Sequence, residues 1–160
     1  NNGEGIKLSF SGSNIIKDNR VSNNDGGGLA LVFSSSFNEL SGNIIEQNKM
    51  DGILLRGNNH LVRPVNNRIL RNTVINNNRG VSFEINVENT TVAYNNIYEN
   101  SDYNFFNNQK NDVIATFNYW GAVNGKKIEE TIFDFYDDLS LGIVTYCPYL
   151  NESRESVFCT

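Results

Sequence analysis

Several residue types are scarce in this chain. Among its 160 residues are two cysteines, two prolines, two glutamines, one histidine, one methionine and one tryptophan. A single histidine, His60, speaks against a histidine-built metal centre. Two cysteines without a Cys-x-x-Cys spacing speak against a thiolate zinc site and a dithiol redox motif. Cations are also in deficit. Thirteen Lys and Arg against 18 Asp and Glu leave a net charge of −5. Nucleic-acid binding needs a basic face, so no nucleic-acid partner is expected. No apolar run approaches the ~18 residues of a spanning helix, so no membrane span is expected in this segment. Asp25-Gly26-Gly27-Gly28 lacks the lysine and following helix of a phosphate loop. No cofactor is called for.

What fills the space is asparagine: 29 Asn against 2 Gln. A prion-like tract would use both amides. Asparagine alone points to backbone corners, because its side chain tolerates left-handed conformations and turns. The asparagines also recur with aliphatic residues. Asn14-Ile15-Ile16 with Asn19 precedes Gly28-Leu29-Ala30-Leu31. Asn43-Ile44-Ile45 with Asn48 precedes Gly52-Ile53-Leu54-Leu55. Asn72-Thr73-Val74-Ile75 with Asn77 precedes Gly80-Val81-Ser82-Phe83, and Asn96-Ile97 with Asn100 precedes Asn104-Phe105-Phe106. A partial copy ends in Asn118-Tyr119-Trp120. Gly28, Gly52, Gly80 and Asn104 are spaced 24, 28 and 24 apart. Both residue types accept positive φ, which predicts a left-handed corner there.

Within each unit the apolar residues alternate: Leu29/Leu31/Phe33, Ile53/Leu55, Val81/Phe83/Ile85, and Val113/Ala115 around Ile114. Period two is the strand signal. Short strands broken by Asn, Gly and Ser corners, repeating every 22–29 residues as one unit with loop insertions, predict an all-β solenoid: a parallel β-helix of about five coils. Aliphatic ladders would fill its interior and asparagine amides would bond up and down its corners. Ile6, Leu8 and Phe10 are expected to form a strand already in the stack. The opening Asn1-Asn2-Gly3-Glu4-Gly5 reads like the middle of a domain, so that strand is expected to pack on a segment outside this sequence.

From Asn118 the pattern changes. The division this suggests is coils over 1–121 and a cap over 122–160. Ile128, Ile132 and Phe135/Tyr136 share a helical spacing, predicting a short helix over about 126–137 behind an Asn124 N-cap. A last strand is predicted over about 143–147. Such a cap covers the open end of a solenoid.

Asn118-Tyr119-Trp120-Gly121, Ile128, Ile132, Asp134, Asp137-Asp138, Gly142, Val144, Pro148 and Leu150 resemble the terminal motif of right-handed parallel β-helix repeat proteins of the pectate-lyase-like superfamily. The upstream Asn-Ile-Ile pattern resembles their coils. The resemblance implies the fold, and the C-terminal coils and cap of a larger extracellular protein. It does not imply one activity, since relatives range from polysaccharide enzymes to adhesive and structural proteins.

Hydrolases and lyases of that superfamily carry recognisable catalytic signatures. Family hydrolases carry Asn-x-Asp, Asp-Asp and Gly-His-Gly on successive coils; that set does not occur here, since the coils hold no Asp-Asp and no Gly-His-Gly. The one Asp-Asp, Asp137-Asp138, reads as a solvated turn of the cap. A lyase needs a base and a partner for the uronate charge. His60, Arg63, Arg68, Arg71 and Arg79 are the only basic cluster, and His60 to Pro64 reads as an exposed insertion. No catalytic residue is assigned. Among the aromatics of the last coils, Phe105, Phe117 and Trp120 are expected in the core, at about 150–250 Å² buried per ring. Trp120 is expected against Ile128 and Ile132. Tyr98, Tyr103 and Tyr119 stay open as rings that stack on glycans.

Asn89-Thr90-Thr91 and Asn151-Glu152-Ser153 are glycosylation sequons at expected exposed sites. Cys147 and Cys159 flank a polar tail with little apolar area to hold it, and a disulfide between them would pin it. That bond and the sequons together imply an oxidising compartment, hence an extracellular or cell-surface location. The function expected is a non-catalytic structural or binding region presenting a side face. Its partners would be upstream coils of the parent protein, a partner chain, or glycans. The alternative is a fragment of a polysaccharide lyase or hydrolase with its catalytic residues upstream.

Overall fold

The structure, a computed structural model, describes residues 3–159. Each of the first four coils contributes three short strands. They are β1 (Ile6–Ser9), β2 (Ile15–Lys17) and β3 (Arg20–Ser22), then β4 (Leu29–Val32), β5 (Glu39–Ser41) and β6 (Ile44–Glu46). The third coil has β7 (Asp51–Arg56), β8 (Arg68–Leu70) and β9 (Thr73–Ile75). The fourth has β10 (Arg79–Glu84), β11 (Thr91–Ala93) and β12 (Asn96–Tyr98). The fifth has β13 (Tyr103–Asn108), β14 (Val113–Ile114) and a bridge at Tyr119. Like strands stack in parallel, in the orders β1-β4-β7-β10-β13, β2-β5-β8-β11 and β3-β6-β9-β12. The fold is therefore an all-β parallel solenoid of about five coils.

The registers explain the alternation. Ile6, Leu29, Ile53, Val81 and Phe105 form one interior ladder. Ile16, Leu40, Ile69 and Val92 form a second, and Val21, Ile45, Val74 and Ile97 a third. Most of these side chains are fully buried. Each such burial stabilises the fold by about 1.5–3 kcal/mol.

Asparagine ladders tie the corners. In one, Asn19, Asn43, Asn72, Asn95 and Asn118 follow each other coil by coil. Each carboxamide oxygen accepts from both the backbone N–H and the side-chain amide of the preceding rung, as Asn72 does from Asn43 at 2.9 Å each. Asn14-Asn38-Asn67 and Asn24-Asn48-Asn77-Asn100 repeat the arrangement at the other corners. The buried amides of these ladder asparagines are thereby satisfied from coil to coil.

The left-handed corners lie elsewhere than expected. Gly28, Gly52, Gly80 and Asn104 all have ordinary φ. Glycine is required there by crowding: a Cβ on Gly52 would sit 2.5 Å from Val74 Cγ1 and 2.8 Å from the Gly80 carbonyl. Positive φ instead falls on the residue before each ladder asparagine. Asp18, Gly42, Arg71, Tyr94 and Phe117 share it at one corner, with φ of 56–65°. The corner throws that residue outward so that the asparagine can turn inward. Phe117 is therefore no core residue. Phe10, Phe33 and Ile85 leave the interior alternation for the same reason, each at a left-handed position, and Phe10 and Ile85 are exposed. β1 stacks on β4 with Ile6 and Leu8 half-buried, and its other edge has no partner strand among the described residues.

The cap is a sixth, irregular turn. Helix α1 (Gly125–Glu129) is shorter than the 126–137 expected. Asn124 caps it, accepting from Lys126 N at 3.0 Å, and Ile128 is fully buried. The sheet then reclaims the chain. β15 (Ile132–Phe133) pairs with β13 as a sixth strand, Ile132 extending the first ladder beside Phe105. Ile128 and Ile132 thus reach the core from different elements, and Tyr136 is exposed. β16 (Val144–Thr145), shorter than the 143–147 expected, pairs with β14. β17 (Tyr149–Leu150) lies on the fifth coil, Leu150 N donating to Asn118 O at 2.9 Å. It forms an antiparallel hairpin with β18 (Ser156–Val157).

Candidate functional site

The outer face of the six-stranded sheet carries a charged network. Asp51 is 2% exposed. Arg79 pairs with it, Nη2 donating to Oδ2 at 3.0 Å and Nε lying 2.7 Å from Oδ1, and the Ser82 hydroxyl also donates to it. Glu84 is held by Arg56 at 2.6 Å and by Arg79 at 3.6 Å. The Arg79 guanidinium lies 4.3 Å over the Phe106 ring. Phe106 in turn stacks on Phe133 at 4.9 Å. The Tyr103 ring packs against Phe133, and burial raises its hydroxyl above the usual tyrosine range.

A second surface follows the outward corner column. The Arg71 guanidinium sits 5.8 Å over Tyr94, and Tyr94 stacks on Phe117 at 5.6 Å with 16° between the rings. Beside this column stands the β17–β18 hairpin. Cys147 and Cys159 are joined by a disulfide that closes its base. At its turn, Arg154 donates to Asn96 Oδ1 and lies 5.7 Å over the Tyr119 ring. Tyr119 meets Tyr98 edge to face at 5.6 Å. Its hydroxyl is held above the usual range, chiefly by burial and then by the Glu152 carboxylate. Between column and hairpin lies a cleft of about 450 Å³, bordered by Arg71, Tyr94, Phe117, Arg154 and Ser156.

The sequence-named residues are dispersed among these surfaces. Tyr98 and Tyr119 are neighbours, and Tyr103 belongs to the other face. Trp120 is 2% exposed, in one packed cluster with Ile128 and Ile132, and meets Phe105 edge to face at 6.5 Å. The basic residues scatter: His60 is exposed, Arg63 pairs with Glu88, and Arg68 with Glu39. Asp137 and Asp138 close the turn after β15. Asp137 accepts from Asp134 N, and Asp138 accepts from Ser140 N, which lowers its carboxyl. Asn89 is exposed on a left-handed corner. Asn151 is engaged on both sides of its amide, donating to Glu155 Oε2 and accepting from Glu155 N. In the cap, the Tyr146 hydroxyl donates to Glu129 Oε1 at 3.0 Å. Burial first, then that carboxylate, pushes it up to about 12.

Sequence reasoning missed Tyr94, Arg154 and the outward role of Phe117. The corner column did have a signal, since each member immediately precedes a ladder asparagine. Nothing in the sequence places Arg154 beside it.

Residues 1–83 match the family described as "Right handed beta helix region". No curated protein and no solved structure matches the chain.

Proposed function

The chain belongs to the right handed beta helix family, and on that footing we propose that it is a non-catalytic structural or binding region of an extracellular protein. It presents a side face of the solenoid to a partner chain or a glycan. The observation that carries this reading is how the outer charges are committed. The two carboxylates held closest on the six-stranded sheet, Asp51 and Glu84, have guanidinium donors from Arg79 and Arg56 on their oxygens. Glycoside hydrolysis needs two carboxylates free to trade a proton across a scissile bond. Ion pairs between stacked coils instead hold a surface in a fixed shape. The Cys147–Cys159 disulfide supports an oxidising compartment. The exposed Asn89 supports glycan attachment there better than the engaged Asn151 does. Among the described residues the outer edges of β1, β2 and β3 have no partner strand, and they suit further coils of the parent protein, or a partner strand, as neighbours.

The test incubates the purified chain with pectin, alginate and related polysaccharides, and follows both retention on the immobilised polymers and release of fragments. Retention, or capture of a partner, without release of fragments is expected. Fragment release above that of heat-inactivated protein would overturn the reading in favour of a lyase or hydrolase fragment.

A further inference from the structure

Seven arginines occur in the chain. Five form ion pairs with carboxylates: Arg20 with Glu46, Arg56 with Glu84, Arg63 with Glu88, Arg68 with Glu39, and Arg79 with Asp51. Arg71 and Arg154 have no carboxylate partner within ion-pair distance among the described residues. In a chain with more acids than bases, both flank the same cleft.

Their settings are alike. Each lies over an aromatic ring, Arg71 over Tyr94 and Arg154 over Tyr119. A ring fixes a guanidinium by its flat face and leaves the N–H edge to other acceptors. Of the two acids on the hairpin turn, Glu155 is bonded to Asn151 and Glu152 is exposed. Both arginines are themselves exposed. The cleft therefore offers the Arg71 fork and the N–H groups of Arg154 beyond the one that donates to Asn96 Oδ1, with no carboxylate lining it. Such donors match the paired oxygens of a carboxylate or sulfate. Around them are the exposed Ser156 and the half-exposed Tyr94, both carrying hydroxyls. Leu150 is the only aliphatic residue in the lining, and it is buried. The surface is built for hydroxyl-rich anions more than for an apolar peptide anchor.

We propose that this cleft, on the corner column and away from the six-stranded sheet, binds an anionic saccharide. A carboxylate or sulfate would take the N–H edges of Arg71 and Arg154, and neighbouring sugar hydroxyls would meet Tyr94 and Ser156. The inference rests on the binding-region reading above and names its face and ligand chemistry.

The experiment titrates the disulfide-intact chain by calorimetry with four probes of equal length: a uronate hexasaccharide, a sulfated hexasaccharide, a neutral hexasaccharide and hexaglutamate. Arg71→Gln and Arg154→Gln are compared with the control Arg68→Gln, with folding checked by circular dichroism. At least one acidic saccharide is expected to bind, and the arm that binds identifies the anion. Affinity should fall with salt. Each cleft variant should weaken binding about tenfold or more, and Arg68→Gln should not. Equal binding of the neutral sugar, binding by hexaglutamate alone, or indifference to both cleft variants would overturn the proposal. Binding of neutral glycan or a partner chain with no acidic arm removes this inference and leaves the binding-region reading standing. Turnover of a polysaccharide removes that reading itself.

Discussion

Removing one rung of an asparagine ladder should be far more costly in the middle than at the exposed end. Asn72 is fully buried. Its carboxamide oxygen accepts from Asn43 N and Asn43 Nδ2, both at 2.9 Å. Its own amide donates to Leu40 O at 2.8 Å and Asn95 Oδ1 at 3.1 Å. Asn72→Ala keeps the backbone bond from Asn72 N to Asn95 Oδ1. It leaves the Asn43 N–H and one Asn43 amide hydrogen buried without an acceptor. At about 1–3 kcal/mol for each orphaned donor, the loss is about 2–6 kcal/mol. That is a large share of a typical domain stability of about 5–15 kcal/mol.

Asn19 holds the same place in the exposed first coil. Its amide donates to Asn43 Oδ1 at 3.1 Å and to Lys17 O. Asn19→Ala still leaves Asn43 Oδ1 with the Asn19 N–H and orphans no buried donor. Its expected cost is under about 1 kcal/mol. Urea unfolding followed by circular dichroism, with linear extrapolation, gives both values. Equal costs for the two variants, or a loss at Asn72 below about 1 kcal/mol, would refute the view that the ladder satisfies buried donors.

Other outcomes follow from the same geometry. Trp120→Ala should cost about 3–5 kcal/mol in the same assay, because the ring is buried; a near-neutral result would contradict its place in the core. Gly52→Ala should cost about 1–3 kcal/mol by overpacking against Val74 and the Gly80 carbonyl, and a stability gain would show that the coil spacing yields freely. Intact mass under alkylation should show no modified cysteine in the denatured, unreduced chain and two after reduction; losing the bond should cost about 3 kcal/mol. Tyr146 is raised to about 12 in the folded state from 10.0. Its contribution is fully present below pH 10 and lost as pH rises towards about 12, since the unfolded chain releases the proton first. Tyr146→Phe should flatten the fall in stability over that window, and an unchanged slope would place its cause in another group.

The parts of the fold legible in sequence are those that repeat. Leu29, Ile53 and Val81 alternate with their neighbours at a strand period, and stacking makes the same demand in every coil. The asparagine ladders were legible for the same reason. Gly28, Gly52 and Gly80 were misread as left-handed corners because glycine meets two needs, positive φ and close approach, and sequence does not separate them. The cap was harder. Ile128, Ile132 and Tyr136 have helical spacing, yet Ile132 has a better place beside Phe105 in the parallel sheet, and tertiary pairing overrides a five-residue helix of weak intrinsic stability. The cleft was hidden because it joins residues 71 and 154, which no local pattern connects.

The column that borders this cleft also shows where such a solenoid is free to vary. At its corner, the residue before the ladder asparagine supplies only a left-handed backbone. The stack fixes the asparagine and the interior residues on either side, and Asn19, Asn43, Asn72, Asn95 and Asn118 are accordingly identical. The preceding positions hold Asp18, Gly42, Arg71, Tyr94 and Phe117, five different residues under one conformational constraint. A non-glycine residue there carries a modest steric cost, which the surrounding ladder outweighs. What its side chain then does is decided by neighbours one coil away. Stacking places those neighbours about 4.8 Å apart, close enough for Arg71, Tyr94 and Phe117 to pack as one surface. A repeat that is rigid within thus carries outward columns whose chemistry is independent of the fold, and the Arg71 column is the one that the disulfide-closed hairpin meets with a second guanidinium.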